Sequence, residues 1–248
     1  MTNLWRFAMA GVLALTGLFT GRSEASVIID GTRVIYRPQD QEATVKLTNM
    51  GKKPVMVQAW MDGGAGKATP DAAKAPFTLT PPIFRLDPGK AQAIRVLYTH
   101  EPLPADKETL FWLSVLEVPP KASNPDGRNI LQFSIRTRIK FFFRPSGLPG
   151  NPAAAPDQLS WKLVPGEGGK GVALQASNPT PYYVNFAHVG LSTEGHRYMQ
   201  PGGTVAPGET AVFPIKQLDS HPNGAIKAVF DAINDLGAIG AYEKPINP

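Results

Sequence analysis

The chain contains no cysteine, which excludes a disulfide framework, a thiolate nucleophile and any cysteine-based metal site. Amphipathic helices are missing too: no stretch carries the 3.6-residue period for more than two turns. Beyond residue 25 no apolar run approaches the roughly 20 residues that a membrane helix needs, so membrane insertion is not expected. The formal net charge is only +5, and there is no dense Lys/Arg run interleaved with aromatics, so nucleic acid is not an expected partner. His100, His188, His196 and His221 are scattered without metal-ligand spacing, and no G-x-S-x-G elbow occurs. The GGAGK stretch is not a phosphate loop, because Met61 and Ala68 stand where the loop needs Gly and Ser or Thr. No catalytic activity, metal or cofactor is expected.

The chain is rich instead in turn formers. Its 248 residues include 25 Pro and 24 Gly, beside a hydrophobic content of 42% that is ample for a core. Residues 1–25 read as a signal peptide. Arg6 precedes an apolar run from Phe7 to Phe19, and Ser23-Glu24-Ala25 places small residues where a signal peptidase cuts. Cleavage after Ala25 removes Arg6, Arg22 and Glu24 and leaves 23 basic and 19 acidic groups, a net +4. The mature chain is expected to be exported.

One stretch organises the rest, from Asn129 to Pro145. Leu131, Phe133, Ile135, Ile139, Phe141 and Phe143 alternate with Gln132, Ser134, Arg136, Arg138 and Lys140. That is the period of a half-buried strand. Thirteen residues, Leu131 to Phe143, span about 43 Å, twice an ordinary strand, so one end is expected to project. Two readings stand at this point: a long core strand, or a strand offered to another protein. The polar members of the other face, Arg136 and Arg138 among them, read as solvated.

Strands are predicted at Ser26–Tyr36 with a break at Asp30-Gly31, then at Glu42–Thr48, Pro54–Trp60, Ile83–Leu86, Ala91–Tyr98 and Leu110–Val118. Short strands at this spacing without helices point to a β-sandwich. A Pro/Gly/Ala-rich stretch, Ser146–Pro156, then leads to further candidates at Leu159–Val164, Gly171–Ser177, Tyr183–Val189, Thr210–Pro214 and Ala225–Ile233. The expected division is a first domain over 26–147 and a second, smaller β-sandwich over 148–248.

Leu103 to Pro119, with Asp106-Lys107-Glu108, Phe111-Trp112 and Val118-Pro119, resembles the signature of the periplasmic pilus chaperones, the PapD-like family. Ser114 stands where that family usually has Asn or Cys. Arg138–Pro145 resembles the family's last first-domain strand, Asn178–Val184 (NPTPYYV) its second-domain signature, and Ile233–Gly237 its late Asn-Asp turn. The resemblance implies an all-β protein of two immunoglobulin-like domains set at an angle around a cleft. It implies a periplasmic protein that folds pilus subunits by donor-strand complementation and delivers them to an outer-membrane usher. Leu131, Phe133 and Ile135 would enter the subunit groove. Arg33 and Lys140 would bind the subunit's terminal carboxylate in the open cleft, and Glu108, Arg144 and Asp235 would form an inter-domain ion network. A homodimer capping the strand of the free protein is an open alternative. The rival reading is a structural or adhesive Ig-like component of a surface appendage.

Overall fold

A computed structural model describes residues 26–64, 69–121, 131–222 and 224–246. The expected signal peptide lies outside them, as does most of the loop between Pro119 and Leu131.

Among the described residues the first half holds nine strands: β1 (Val27–Ile29), β2 (Arg33–Tyr36), β3 (Ala43–Asn49), β4 (Val55–Asp62), β5 (Phe77–Thr80), β6 (Ile83–Leu86), β7 (Ala91–Tyr98), β8 (Thr109–Val118) and β9 (Ile135–Phe143). They form two sheets, ordered β1-β3-β7-β5 and β2-β9-β8-β4-β6. The chain changes sheet between β1 and β2, where Gly31 takes φ of +98°, a conformation that favours glycine. Alternation explains the packing: the inward rows of β3, β4, β7 and β8 place Val45, Leu47, Val57, Ile94, Val96, Leu113 and Val115 in the core. Tyr36, Phe77, Tyr98, Phe111, Phe141 and Phe143 close one end of that core as an aromatic cluster.

A 3₁₀ turn at Pro152–Gln158, capped by the Asn151 side chain, leads into the second half. There follow β10 (Ser160–Pro165), β11 (Val172–Ser177), β12 (Val184–Thr193), β13 (His196–Pro201), β14 (Thr204–Val205), β15 (Thr210–Ile215), β16 (Ile226–Ile233) and β17 (Ile239–Ile246). The sheet β10-β11-β15 faces β13-β12-β16-β17, and β14 pairs with β12. Trp161, Leu174, Phe186, Val189, Leu191 and Phe230 lie in this second core, separate from the first. Phe142 belongs to neither: it is buried at the joint, its ring 5.6 Å from that of Tyr183.

Both halves are sandwiches, as the alternation and turn spacing predict. Two differences matter. The ladder of β9 begins at Ile135, not Leu131: β8 ends at Val118, Pro119 and Pro120 beyond it have no N–H to extend the ladder, and among the described residues no strand stands beside Leu131–Gln132. Strands β13, β14 and β17 escaped the sequence reading. The polar run of β13 (HRYMQP) and the glycine and proline inside β17 (IGAYEKPI) hide the strand pattern, and both strands lie at the edges of their sheet, where such residues are tolerated.

Candidate functional site

Strand β9 is paired unequally on its two sides. Its partner β8 runs antiparallel along its full length, from Glu117 opposite Ile135 to Thr109 opposite Phe143. On the other side β2 runs parallel but covers only Lys140 to Phe143. Among the described residues, the backbone edge of Ile135–Ile139 therefore has no strand beside it. Upstream, Leu131 and Phe133 are 78% and 68% exposed, and Ile135 is half-buried. The Gln132 side chain donates to the Pro119 and Pro120 carbonyls and holds this segment to the end of β8. An exposed apolar row on an open edge invites strand addition, and soluble proteins normally avoid it.

The opposite face of β9 is not the solvated row expected from sequence. Arg136 stacks over Trp60 at 4.6 Å, and Arg138 over Trp112 at 4.7 Å. Between them Asp62, only 1% exposed, accepts from Arg138 Nη2 at 2.6 Å and from Arg136 Nη2 at 3.4 Å. Gly64 N also donates to it. Ser114 joins the cluster, donating to Asp62 Oδ2 and accepting from Arg136. Its hydroxyl thus has both partners despite replacing the family's amide or thiol. The arginines are half-buried because β4 supplies a buried carboxylate two strands away, a pairing that alternation cannot reveal.

Arg33 and Lys140 are register partners on β2 and β9, so their side chains share one face of the sheet. Lys140 Nζ donates to Asn185 Oδ1 at 2.5 Å and to Thr204 Oγ1, both from the second domain. Arg33 Nη1 donates to the Ile233 carbonyl at 3.3 Å. Both cations bridge the expected open cleft with hydrogen bonds to the second domain. Burial, with the neighbouring Arg33 charge, pushes the Lys140 pKa down to about 8. Burial also lowers that of Arg33, partly offset by Asp235. Arg33 Nε is buried without a hydrogen-bond partner. Among the described residues, the hydrogen bonds of these two partly desolvated cations go to neutral oxygens, and Arg33 Nε has none, an arrangement whose charge suits an anion.

Glu108, Arg144 and Asp235 meet at the joint. Arg144 Nε reaches Glu108 Oε1 at 2.5 Å, and its two Nη atoms hold both Asp235 oxygens at 2.6 and 2.8 Å. Burial raises the Glu108 pKa and Arg144 partly counters it. For Arg144 burial opposes the charge, yet its bonds to Asp235 and Glu108 outweigh that and raise its pKa. The NPTPYY motif builds the receiving loop. Asn178 donates to the Tyr182 carbonyl and accepts from Thr180 N, and the loop so shaped presents Tyr183 N to Glu108 Oε2 and the Pro181 carbonyl to Glu108 N. In the β16–β17 turn, Asn234 accepts from Leu236 N and Ala238 N. Gly237 has φ of +81° there, a conformation that favours glycine, and a Cβ on it would come 2.7 Å from the Thr32 hydroxyl, so glycine eases the approach of this turn to the first domain. One cleft, lined by Arg33, Glu108, Arg144, Asn185 and Asp235 among others, runs between the halves.

Residues 26–149 match the family described as "Pili and flagellar-assembly chaperone, PapD N-terminal domain", and residues 154–244 match "Pili assembly chaperone PapD, C-terminal domain". The chain is 42% identical over 228 residues to the chaperone protein FimB/FhaD of Bordetella pertussis, covering 90% of this chain and 89% of that one. The crystal structure of the YadV chaperone superposes with a TM-score of 0.77 at 39% identity, covering 89% of this chain and 100% of YadV. The SafB chaperone of Salmonella enterica, solved in complex with the SafA pilin, superposes with a TM-score of 0.73 at 29% identity, over 91% of this chain and 98% of that one. Two sandwiches in this order, joined through Arg144 and matched along both halves, place the chain in the PapD family of pili assembly chaperones.

Proposed function

We propose that this chain is a periplasmic chaperone that captures pilus subunits by adding its β9 edge to them, and then delivers them to an outer-membrane usher. In this reading Leu131, Phe133 and Ile135 fill a groove left open in the subunit, while Arg33 and Lys140 hold the subunit's C-terminal carboxylate. Glu108, Arg144 and Asp235 keep the two domains at the angle that forms the cleft. The observation that carries the proposal is the open edge of Ile135–Ile139, which ends at the paired cations Arg33 and Lys140. In such strand addition the ladder bonds supply affinity and alternate side chains supply specificity. The activity is stoichiometric binding. From Lys140 back to Leu131 the strand spans about 30 Å, so anchoring one end sets the register of every side chain along it.

The experiment is co-purification from the periplasm with a co-expressed pilin. A one-to-one complex is expected with the unmodified chaperone. Phe133→Glu should remain folded and lose the complex, since a carboxylate cannot be buried unpaired in an apolar groove. A one-to-one complex that survives Phe133→Glu at unchanged affinity overturns the strand assignment.

A further inference from the structure

Glu117 is a carboxylate in an apolar place. It follows Phe111, Leu113 and Val115 on the inward row of β8 and is itself only 9% exposed. A carboxylate at the end of a core-facing row requires donors and, in a low dielectric, a compensating charge. Among the described residues no lysine or arginine pairs with it. Its partners come from the start of β1: Ser26 N donates to Oε2 at 3.1 Å, Val27 N donates to the same oxygen at 3.0 Å, and Ser26 Oγ donates to Oε1. The fold fixes Ser26 in this position. Met50 N donates to its carbonyl at 2.7 Å, and the Gly51 backbone lies so close that a Cβ there would come 2.5 Å from Ser26 Cβ.

Ser26 is also the first residue after the expected leader, whose Ser23-Glu24-Ala25 ending suits a signal peptidase, and the family match begins at residue 26. We propose that leader removal creates the cation that Glu117 lacks. A signal peptidase adds water across the Ala25–Ser26 peptide bond. The new carboxylate stays on Ala25 and leaves with the leader, while the amine on Ser26 takes up a proton and becomes an α-ammonium against Glu117. This rests on the export reading above for the removal of the leader, and on nothing else in it. Because β1 and β8 lie in opposite sheets, the pair clips the sandwich shut at one end. Glu117 is the residue opposite Ile135, so the clip sits at the root of the exposed strand.

The test compares mature protein beginning at Ser26 with protein carrying one extra N-terminal glycine, each with Glu117 and with Glu117→Gln. Intact mass of the exported protein should place the terminus at Ser26. The extra glycine should lower the melting temperature by about 2–4 °C or more beside Glu117, and by less than half as much beside Gln. A second measurement needs no variant. Acetylation of the Ser26 amine should be about tenfold slower in native than in urea-unfolded protein, since each unit by which pairing raises its pKa removes a factor of ten of free amine. A terminus at another residue, equal losses in both backgrounds, no loss beside Glu117, or equal acetylation rates would each overturn the proposal. No subunit enters these measurements, so a failure to capture pilins leaves their outcome unchanged.

Discussion

Lys140 Nζ lies 2.5 Å from Asn185 Oδ1, so the cation on the open strand is already tied to the second domain before any partner arrives. A subunit carboxylate entering the cleft would join or replace neutral oxygens around an existing charge. Lys140→Ala should therefore weaken subunit binding by roughly ten- to a hundredfold, the worth of one charge-assisted bond of about 1.5–3 kcal/mol. The Kd of the complex measures this. The melting point of the free chaperone should fall only modestly, because the lost bonds are offset by the relieved desolvation of a buried ammonium.

The same lysine makes binding depend on pH. With its pKa near 8 in the free protein, Lys140 is charged below that value and neutral above it. Holding a carboxylate requires the charged form, so affinity should decline as pH rises above about 8. Stability of the free chaperone should move the other way. Between about 8 and 10.5 the unfolded chain binds the proton and the folded one does not, so the Lys140 contribution becomes more favourable with rising pH. Titration of Kd and of melting temperature on one preparation checks both signs, and Lys140→Arg should flatten the Kd profile.

Arg144→Ala should destabilise more than Glu108→Ala. Removing the arginine leaves Glu108 buried without a cation, a loss of about 3–5 kcal/mol for a broken buried pair. The Asp235 carboxylate is partly exposed and can recover water. A double-mutant cycle between Arg144 and Asp235, read by urea unfolding, should give a coupling of about 0.5–3 kcal/mol.

Phe133 and Phe141 share one face of the chain by alternation and differ in what covers them. Phe133→Glu should change the stability of the free chaperone by less than about 0.5 kcal/mol, whereas Phe141→Glu should abolish soluble expression, since Phe141 is fully buried in the first core. Thermal melts and periplasmic yield separate the two.

Arg138→Ala should cost more stability than Arg136→Ala, because Arg138 makes the shorter bond to buried Asp62. Losing it leaves that carboxylate with one long ion pair beside its bonds from Gly64 N and Ser114, a deficit of about 1–3 kcal/mol. Hydrogen exchange should then accelerate over Ile135–Ile139, the part of β9 held on one side only.

The alternation from Leu131 to Phe143 makes the strand and its two faces legible in the sequence, and the motifs at Leu103–Pro119, Asn178–Val184 and Ile233–Gly237 mark Glu108 and Asp235. Alternation could not say where the ladder starts, because an apolar row has the same pattern whether its partner lies in the same chain or in another. Asp62 was hidden for a related reason. Its arginine partners stand two strands away in the sheet and more than seventy residues away in sequence, and only cross-strand register brings them together. Asn185 and Thr204 carried no sign at all, since ordinary polar side chains acquire meaning here only from the lysine that reaches them.

Strand β2 covers the last four residues of β9 and runs in the same direction. A strand added along Ile135–Ile139 with its carboxylate toward Lys140 also runs in that direction, on the same edge, and is collinear with β2. It must stop where Arg33 begins, for the next rung is taken. If a subunit carboxylate seats at Lys140 as proposed, the edge works as a doorstop that accepts the finishing end of a polypeptide and turns away a segment from its middle. Completed synthesis, as much as matching side chains, then becomes a condition of entry.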